Sequence, residues 1–239
     1  MISLPLRLSF ISFILVVCCY ATGLAETENW DTLNTAGMLA YQKKDFLTAK
    51  NLFERALETL EQGEQPDPHA ATTLNNLGAV HENLGEFDQA ELRYRNSLAV
   101  IETIQGPHHP DIAMGLNNLA SLYFSQQLFK KAEPLWQRAL GISERILGDK
   151  HPHLVQPLVT LGIVTHIQRK FDQAETFYIR AIRITEHSLN PEHPRLISLY
   201  TRYGSLLRQA NREEEATVVD RKIESLRSAN TASPENLDQ

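Results

Sequence analysis

Between Pro110 and Gln126 the apolar side chains fall at Ile112, Leu116, Leu119, Leu122 and Tyr123, a spacing that places them on one face of a helix. A second stripe begins at Phe129 and runs through Leu135, Trp136, Ala139 and Leu140 to about Leu147. Short polar breaks part such pairs, as at Asn83-Leu84-Gly85-Glu86, where glycine suits a helix C-terminus. A Gly-x-x-His-Pro turn then closes each pair, at Gly106 to Pro110 and Gly148 to Pro152, with Asn190 to Pro194 as a variant. Proline opens the next helix without cost, because the N–H it lacks has no intrahelical partner at that position. The pattern predicts a chain of helical hairpins.

The hairpins are copies. Blocks beginning at Leu74 (LNNLG), Leu116 (LNNLA), Leu158 (LVTLG) and Tyr200 (YTRYG) recur every 42 residues, and Phe-x-x-Ala follows in register at Phe46, Phe87, Phe129 and Phe171. Glu213 replaces the Phe in the last copy while Ala216 keeps its place. Five units result, approximately 30–67, 68–109, 110–151, 152–193 and 194–228. Self-similarity on this scale signals a stacked array in which no unit buries its apolar face alone. The expected fold is all-α, a right-handed α-solenoid. Gly78, Ala120, Gly162 and Gly204 on first helices should face Ala90, Ala132, Ala174 and Ala216 on second helices and allow close approach. Phe53, Tyr94, Trp136 and Tyr178 form one aromatic position per unit and should fill the space between units.

The ends differ from the array. In residues 1–25, Arg7 precedes an apolar stretch from Leu8 to Tyr20 and a small-residue tail at 21–25, the pattern of a secretory signal peptide cut after Ala25 or Ala21. The stretch is shorter than the ~20 residues of a membrane-spanning helix, which leaves an uncleaved anchor as the lesser alternative. Val16 and Val17 stand before Cys18 and Cys19 where a lipidation motif wants a small residue. Cleavage would leave a chain without cysteine, stabilised by packing alone. The expected location is therefore outside the cytoplasm, in the periplasm. Residues 229–239 are polar and aperiodic and read as a mobile tail.

Charge and chemistry narrow the function. The chain carries 23 basic against 29 acidic residues, with no basic cluster of the kind nucleic acid requires. His108, His109, His151, His153 and His193 mostly belong to the repeated turn, and stacking carries such residues apart, so no metal site or cofactor is predicted. No phosphate loop, H-E-x-x-H or nucleophile elbow is present, which argues against an enzyme. The run Glu213-Glu214-Glu215 opens the last helix, where negative charge complements the helix dipole.

With its LNNLA, AExLxxRAL and GxxHP elements, the 42-residue unit resembles the tetratricopeptide repeat of the kinesin-light-chain type over about five-sixths of the chain. The resemblance implies a concave groove lined by first helices, in which Asn34, Asn75 and Asn117 hold successive equivalent positions. Such asparagines would grip the backbone of an extended peptide through a donor and an acceptor each. The alternative is that the Asn75-Asn76 and Asn117-Asn118 pairs bond to neighbouring helices and hold repeat spacing, one residue of each pair in that role. Inward positions of repeats three to five add Ser121, Phe124, Val159, Ile163, His166, Ile167 and Arg208. Val159, Ile163 and Ile167 stack at i, i+4 and i+8 and with Phe124 should form an apolar patch. That patch would seat a ligand anchor, or be covered by the tail or by a second copy in a dimer. Arg202 and Arg208 would receive a ligand carboxylate or remain solvated. The expected function is a protein-interaction adaptor binding a partner's peptide segment in the groove. The alternative is a structural or assembly subunit of a cell-envelope complex that uses other surfaces.

Overall fold

The computed structural model describes residues 29–60 and 67–232, and the predicted signal peptide lies outside them. Among the described residues there are ten α-helices and no strand. The pairs are α1 (Trp30–Gln42) with α2 (Phe46–Leu60), α3 (Pro68–Asn83) with α4 (Phe87–Gln105), and α5 (Pro110–Ser125) with α6 (Phe129–Leu147). A 3₁₀ turn at Pro152–Leu154 leads into α7 (Val155–Ile167) with α8 (Phe171–Ser188), and α9 (Arg195–Gln209) pairs with α10 (Glu213–Ala232). Each first helix packs on its own second helix, which in turn packs on the next first helix. The product is an α-solenoid. No described helix is long and apolar enough to cross a membrane.

Two turns build the unit. Inside each hairpin one residue takes the left-handed conformation, and only Gly85 is a glycine; Lys44, Gln127, Arg169 and Asn211 do the same with φ near 60°. The bond network around them, such as Leu128 N–H to the Tyr123 carbonyl at 2.8 Å, holds the turn regardless of side chain. Between hairpins the histidine acts as a cap. Nδ1 of His109, His151 and His193 accepts the backbone N–H two residues on, at 3.3, 3.2 and 3.1 Å. Asp67 does the same in the first such turn, accepting from His69 N–H at 2.8 Å. These histidines are spent on helix starts.

The glycines meet rings rather than alanines. A β-carbon at Gly37, Gly78 or Gly162 would lie 2.7, 2.6 or 2.5 Å from the ring of Phe53, Tyr94 or Tyr178 in the same unit. The aromatic slot therefore first fills its own hairpin, and only then reaches onward, Phe53 to Leu77 and Val80 and Tyr178 to Leu206. In repeat three Ala120 replaces the glycine, and Trp136 in the slot packs against Phe124 at 5.6 Å between centroids. Ala90, Ala132, Ala174 and Ala216 are fully buried, as their spacing required.

Charged clamps repeat along the second helices. Arg138 pairs with Glu102, and one repeat later Arg180 pairs with Glu144 and donates to the Asp149 carbonyl at 2.8 Å. Near the hairpin turns Glu133 accepts from Lys170 at 2.6 Å and Gln168 at 2.7 Å. Glu175, its equivalent, accepts from Arg212 at 2.6 Å. The last helix continues through Ala232, so the first four residues of the expected tail are helical. Asn230 there donates to the Glu192 carbonyl at 2.8 Å.

Candidate binding groove

First helices carry the asparagines, and the asparagines bond to one another. Asn76 donates to the Asn34 carboxamide oxygen at 3.2 Å, and Asn118 donates to that of Asn75 at 2.7 Å. The second asparagine of each pair thus ties its unit back to the one before. This occupies one lone pair of the acceptor of Asn34 and of Asn75. The spacing role expected of one residue in each pair falls to the second member, Asn76 and Asn118.

The ladder stops at repeat four. Thr160 stands where a third tying asparagine would be, and its hydroxyl bonds to the Gln156 carbonyl of its own helix at 3.1 Å. Asn117, half-buried, makes no side-chain hydrogen bond among the described residues, so donor and acceptor are both open. In repeat five Arg202 holds the tying position and faces Val159, which offers no acceptor. Arg202 accordingly has no ion-pair partner among the described residues.

Val159, Ile163, Arg195, Ser198 and Arg202 line a hollow of about 560 Å³ between α7 and α9. A neighbouring hollow of about 400 Å³ shares Ile163, Ser198 and Arg202 and adds His166, Ile167 and Tyr178. Val159 is buried, Ile163 and His166 are half-buried, and Ile167 is exposed. Burial holds the His166 imidazole below its ordinary pKa, against an opposing bond to Gln209. The ring contacts Tyr178 edge-on at 6.3 Å, so a neutral, apolar-facing imidazole completes the wall. Ser121 is exposed on α5 and makes no side-chain bond.

Two expected lining residues sit elsewhere. Phe124, half-buried, packs edge-to-face on Phe129 at 5.3 Å and beside Trp136, within the aromatic cluster of repeat three. Arg208 pairs with Asp220 on α10 and, at 3.8 Å, with Glu213, so its charge is committed to the last hairpin. The cations left beside the apolar wall are Arg195 and Arg202. Arg195 escaped notice because only the register of the helix start, not its composition, aims it there.

A third hollow, of about 180 Å³, lies between α3 and α5 and was not legible as a site. Asn75, Val100, Ile104, Asp111 and Met114 line it. Its signal was two apolar side chains left exposed, Met114 at 57% and Ile104 at 38%. No group of three His, Cys, Asp or Glu converges among the described residues.

Comparison with known proteins agrees with this architecture. No curated protein matches the chain. Among solved structures, a putative kinesin light chain from Podosopora anserina with nearly identical tetratricopeptide-like repeats superposes with a TM-score of 0.71. It is 14% identical, over 84% of this chain and 95% of that one. BtubC (BKLC) from P. vanneervenii gives 0.69 at 20% identity, over 84% and 80%. MamA gives 0.62 at 19% identity, over 88% and 97%. At these identities the likeness is one of fold. The tetratricopeptide repeat profile matches residues 69–133, 111–186 and 156–222. The chain belongs to the tetratricopeptide repeat family, whose arrays are in general scaffolds for protein–protein interaction.

Proposed function

We propose that the array is an adaptor that holds an extended segment of a partner protein in its concave groove. The observation that carries this reading is the end of the amide ladder. Asn117 presents an unused donor and acceptor one repeat before Val159 in register, and the unpaired Arg202 shares a hollow with Val159 and Ile163. An open carboxamide matches the alternating N–H and C=O groups of an extended backbone. Apolar side chains in a hollow supply the anchor energy, and the arginines favour a carboxylate near that anchor. Export belongs to the same proposal and rests on the signal-like pattern of residues 1–25.

The test is affinity capture from envelope extract with the wild type beside the double variant Asn117→Ala, Ile163→Asp. Mass spectrometry identifies what is retained, and circular dichroism checks that the array stays folded. A partner held by the wild type and lost by the folded variant is the expected outcome. Equal retention by both moves the function to another surface and favours a structural subunit.

A further inference from the structure

The hollow between α3 and α5 and the one between α7 and α9 are the same place in the repeat, two units apart. Asn75 corresponds to Val159, Asp111 to Arg195 and Met114 to Ser198, each 84 residues on. One unit along, Pro157 stands at the register of Gly115, where a β-carbon would come 2.8 Å from Leu98. The glycine lets Leu98 pack directly against α5 beside the first hollow. At about 180 Å³ its volume suits a single side chain, since an apolar cavity of about 150 Å³ takes a benzene-sized group.

The two hollows have apolar floors and opposite rims. The first is bordered by Asp111, half-exposed, with His109 at 3.5 Å and His69 in the same lining. The second is bordered by Arg195 and Arg202, both exposed and without ion-pair partners among the described residues. Asn117 stands on α5, one unit after Asn75 and one before Val159 in register.

Building on the groove-binding reading above, we infer that the groove is a two-socket ruler with a built-in polarity. Its occupant is an extended segment of a partner protein with two apolar side chains, an acidic residue flanking one and a basic residue flanking the other. The spacing follows from the fold. Packed helices sit roughly 8–10 Å apart, and successive first helices, each packed on the second helix between them, are no closer than that, so two units span at least roughly 16–20 Å. At about 3.3 Å per residue, the two anchors are at least about five residues apart. The acidic flank lies at the Arg195/Arg202 socket and the basic flank at the Asp111 socket. Asn117 holds the backbone of the residues between the anchors.

The experiment selects from a phage-displayed library of random twelve-residue peptides on the purified full chain. Enriched peptides are then measured by fluorescence anisotropy against the wild type, Met114→Glu, Ile163→Asp and Arg202→Glu. The expected result is enrichment of two apolar positions at one fixed spacing of at least about five residues, with opposite charges at their flanks. Met114→Glu and Ile163→Asp should each weaken binding about tenfold or more, as loss of an anchor does. Arg202→Glu should invert the preferred charge at one anchor only. Peptides with one apolar position, sensitive to Ile163→Asp and indifferent to Met114→Glu, would overturn the ruler and leave the groove reading standing. Absence of enrichment, or binding indifferent to all three changes, would overturn both.

Discussion

Repeats four and five use the same register to opposite ends. In repeat four the Tyr178 ring lies on Gly162 so closely that a β-carbon would sit 2.5 Å away. In repeat five the equivalent glycine, Gly204, faces open packing, with Val219 at 3.4 Å, and the aromatic slot holds Asp220. Asp220 forms an ion pair with Arg208 across the hairpin. An interior unit has neighbours on both sides and gains from a ring that fills its hairpin and continues into the next. Repeat five is the last described unit, and there a polar pair spans the hairpin in place of a ring. The difference shows what the slot is for: its ring couples one unit to the next, as Tyr178 does to Leu206, whereas Asp220 serves its own hairpin.

The largest test removes the coupling ring. Tyr178 is 1% exposed, and Tyr178→Ala should cost about 3–5 kcal/mol, the range for emptying a buried aromatic site. Urea unfolding followed by circular dichroism checks it, and Asp220→Ala in parallel should change stability by less than ~1 kcal/mol. Equal effects at the two positions would abolish the distinction between the ring slot of repeat four and the polar slot of repeat five.

Adding one methyl group probes the same contrast from the glycine side. Gly162→Ala forces Tyr178 to move and should destabilise by about 1–3 kcal/mol, the usual cost of overpacking. Gly204→Ala places its methyl at ordinary contact distance within a helix and should stabilise by about 0.4–1 kcal/mol, by restricting the unfolded chain. Opposite signs in the shift of the thermal midpoint are the expected outcome. Repeat three shows how the fold accommodates the methyl: Ala120 is native there, and the slot holds Trp136 packed on Phe124.

That accommodation also marks where sequence reasoning ran short. Periodicity placed the hairpins, their turns and the capping histidines, since those depend on local spacing and backbone chemistry. It set glycine against alanine because both are small. It did not reveal that a ring needs the glycine, which only the packed hairpin shows. Phe124 and Arg208 were assigned to the groove by their position on the helix. Packed on Phe129 and Trp136 and paired with Asp220, they answer to side chains across their own hairpins. The asparagines were legible as residues of interest. Their mutual bonds, and the open end at Asn117, depend on the distance between units. So does the hollow beside Met114, whose register partner at Ser198 has a different character.

The smallest effect concerns how repeat five is held. Glu175 on α8 receives Arg212 at 2.6 Å and Tyr203 at 2.7 Å, joining unit four to unit five through a titratable group. The Arg212 bond is the main cause holding the Glu175 carboxyl below its ordinary pKa, and burial opposes it. Burial, with Glu175 beside it, pushes the Tyr203 hydroxyl up to about 12, so it stays a donor throughout the acidic range. A carboxylate with a depressed folded pKa contributes stability that is complete above its unfolded value of about 4.3 and is lost as pH falls through the folded value. Acidification should therefore loosen the junction between units four and five. Amide hydrogen exchange at graded pH should show α9 and α10 opening on acidification below about pH 4.3, since stability held by this group falls in that window. Glu175→Gln should lower protection of α9 and α10 slightly at neutral pH and flatten its pH dependence in that window. An unchanged slope would place the acid sensitivity elsewhere, in the Glu215 carboxylate held down by the same Arg212 or in the Glu86 carboxylate held down by His81 and Lys50 between units one and two. In the latter case the array would loosen first between units one and two.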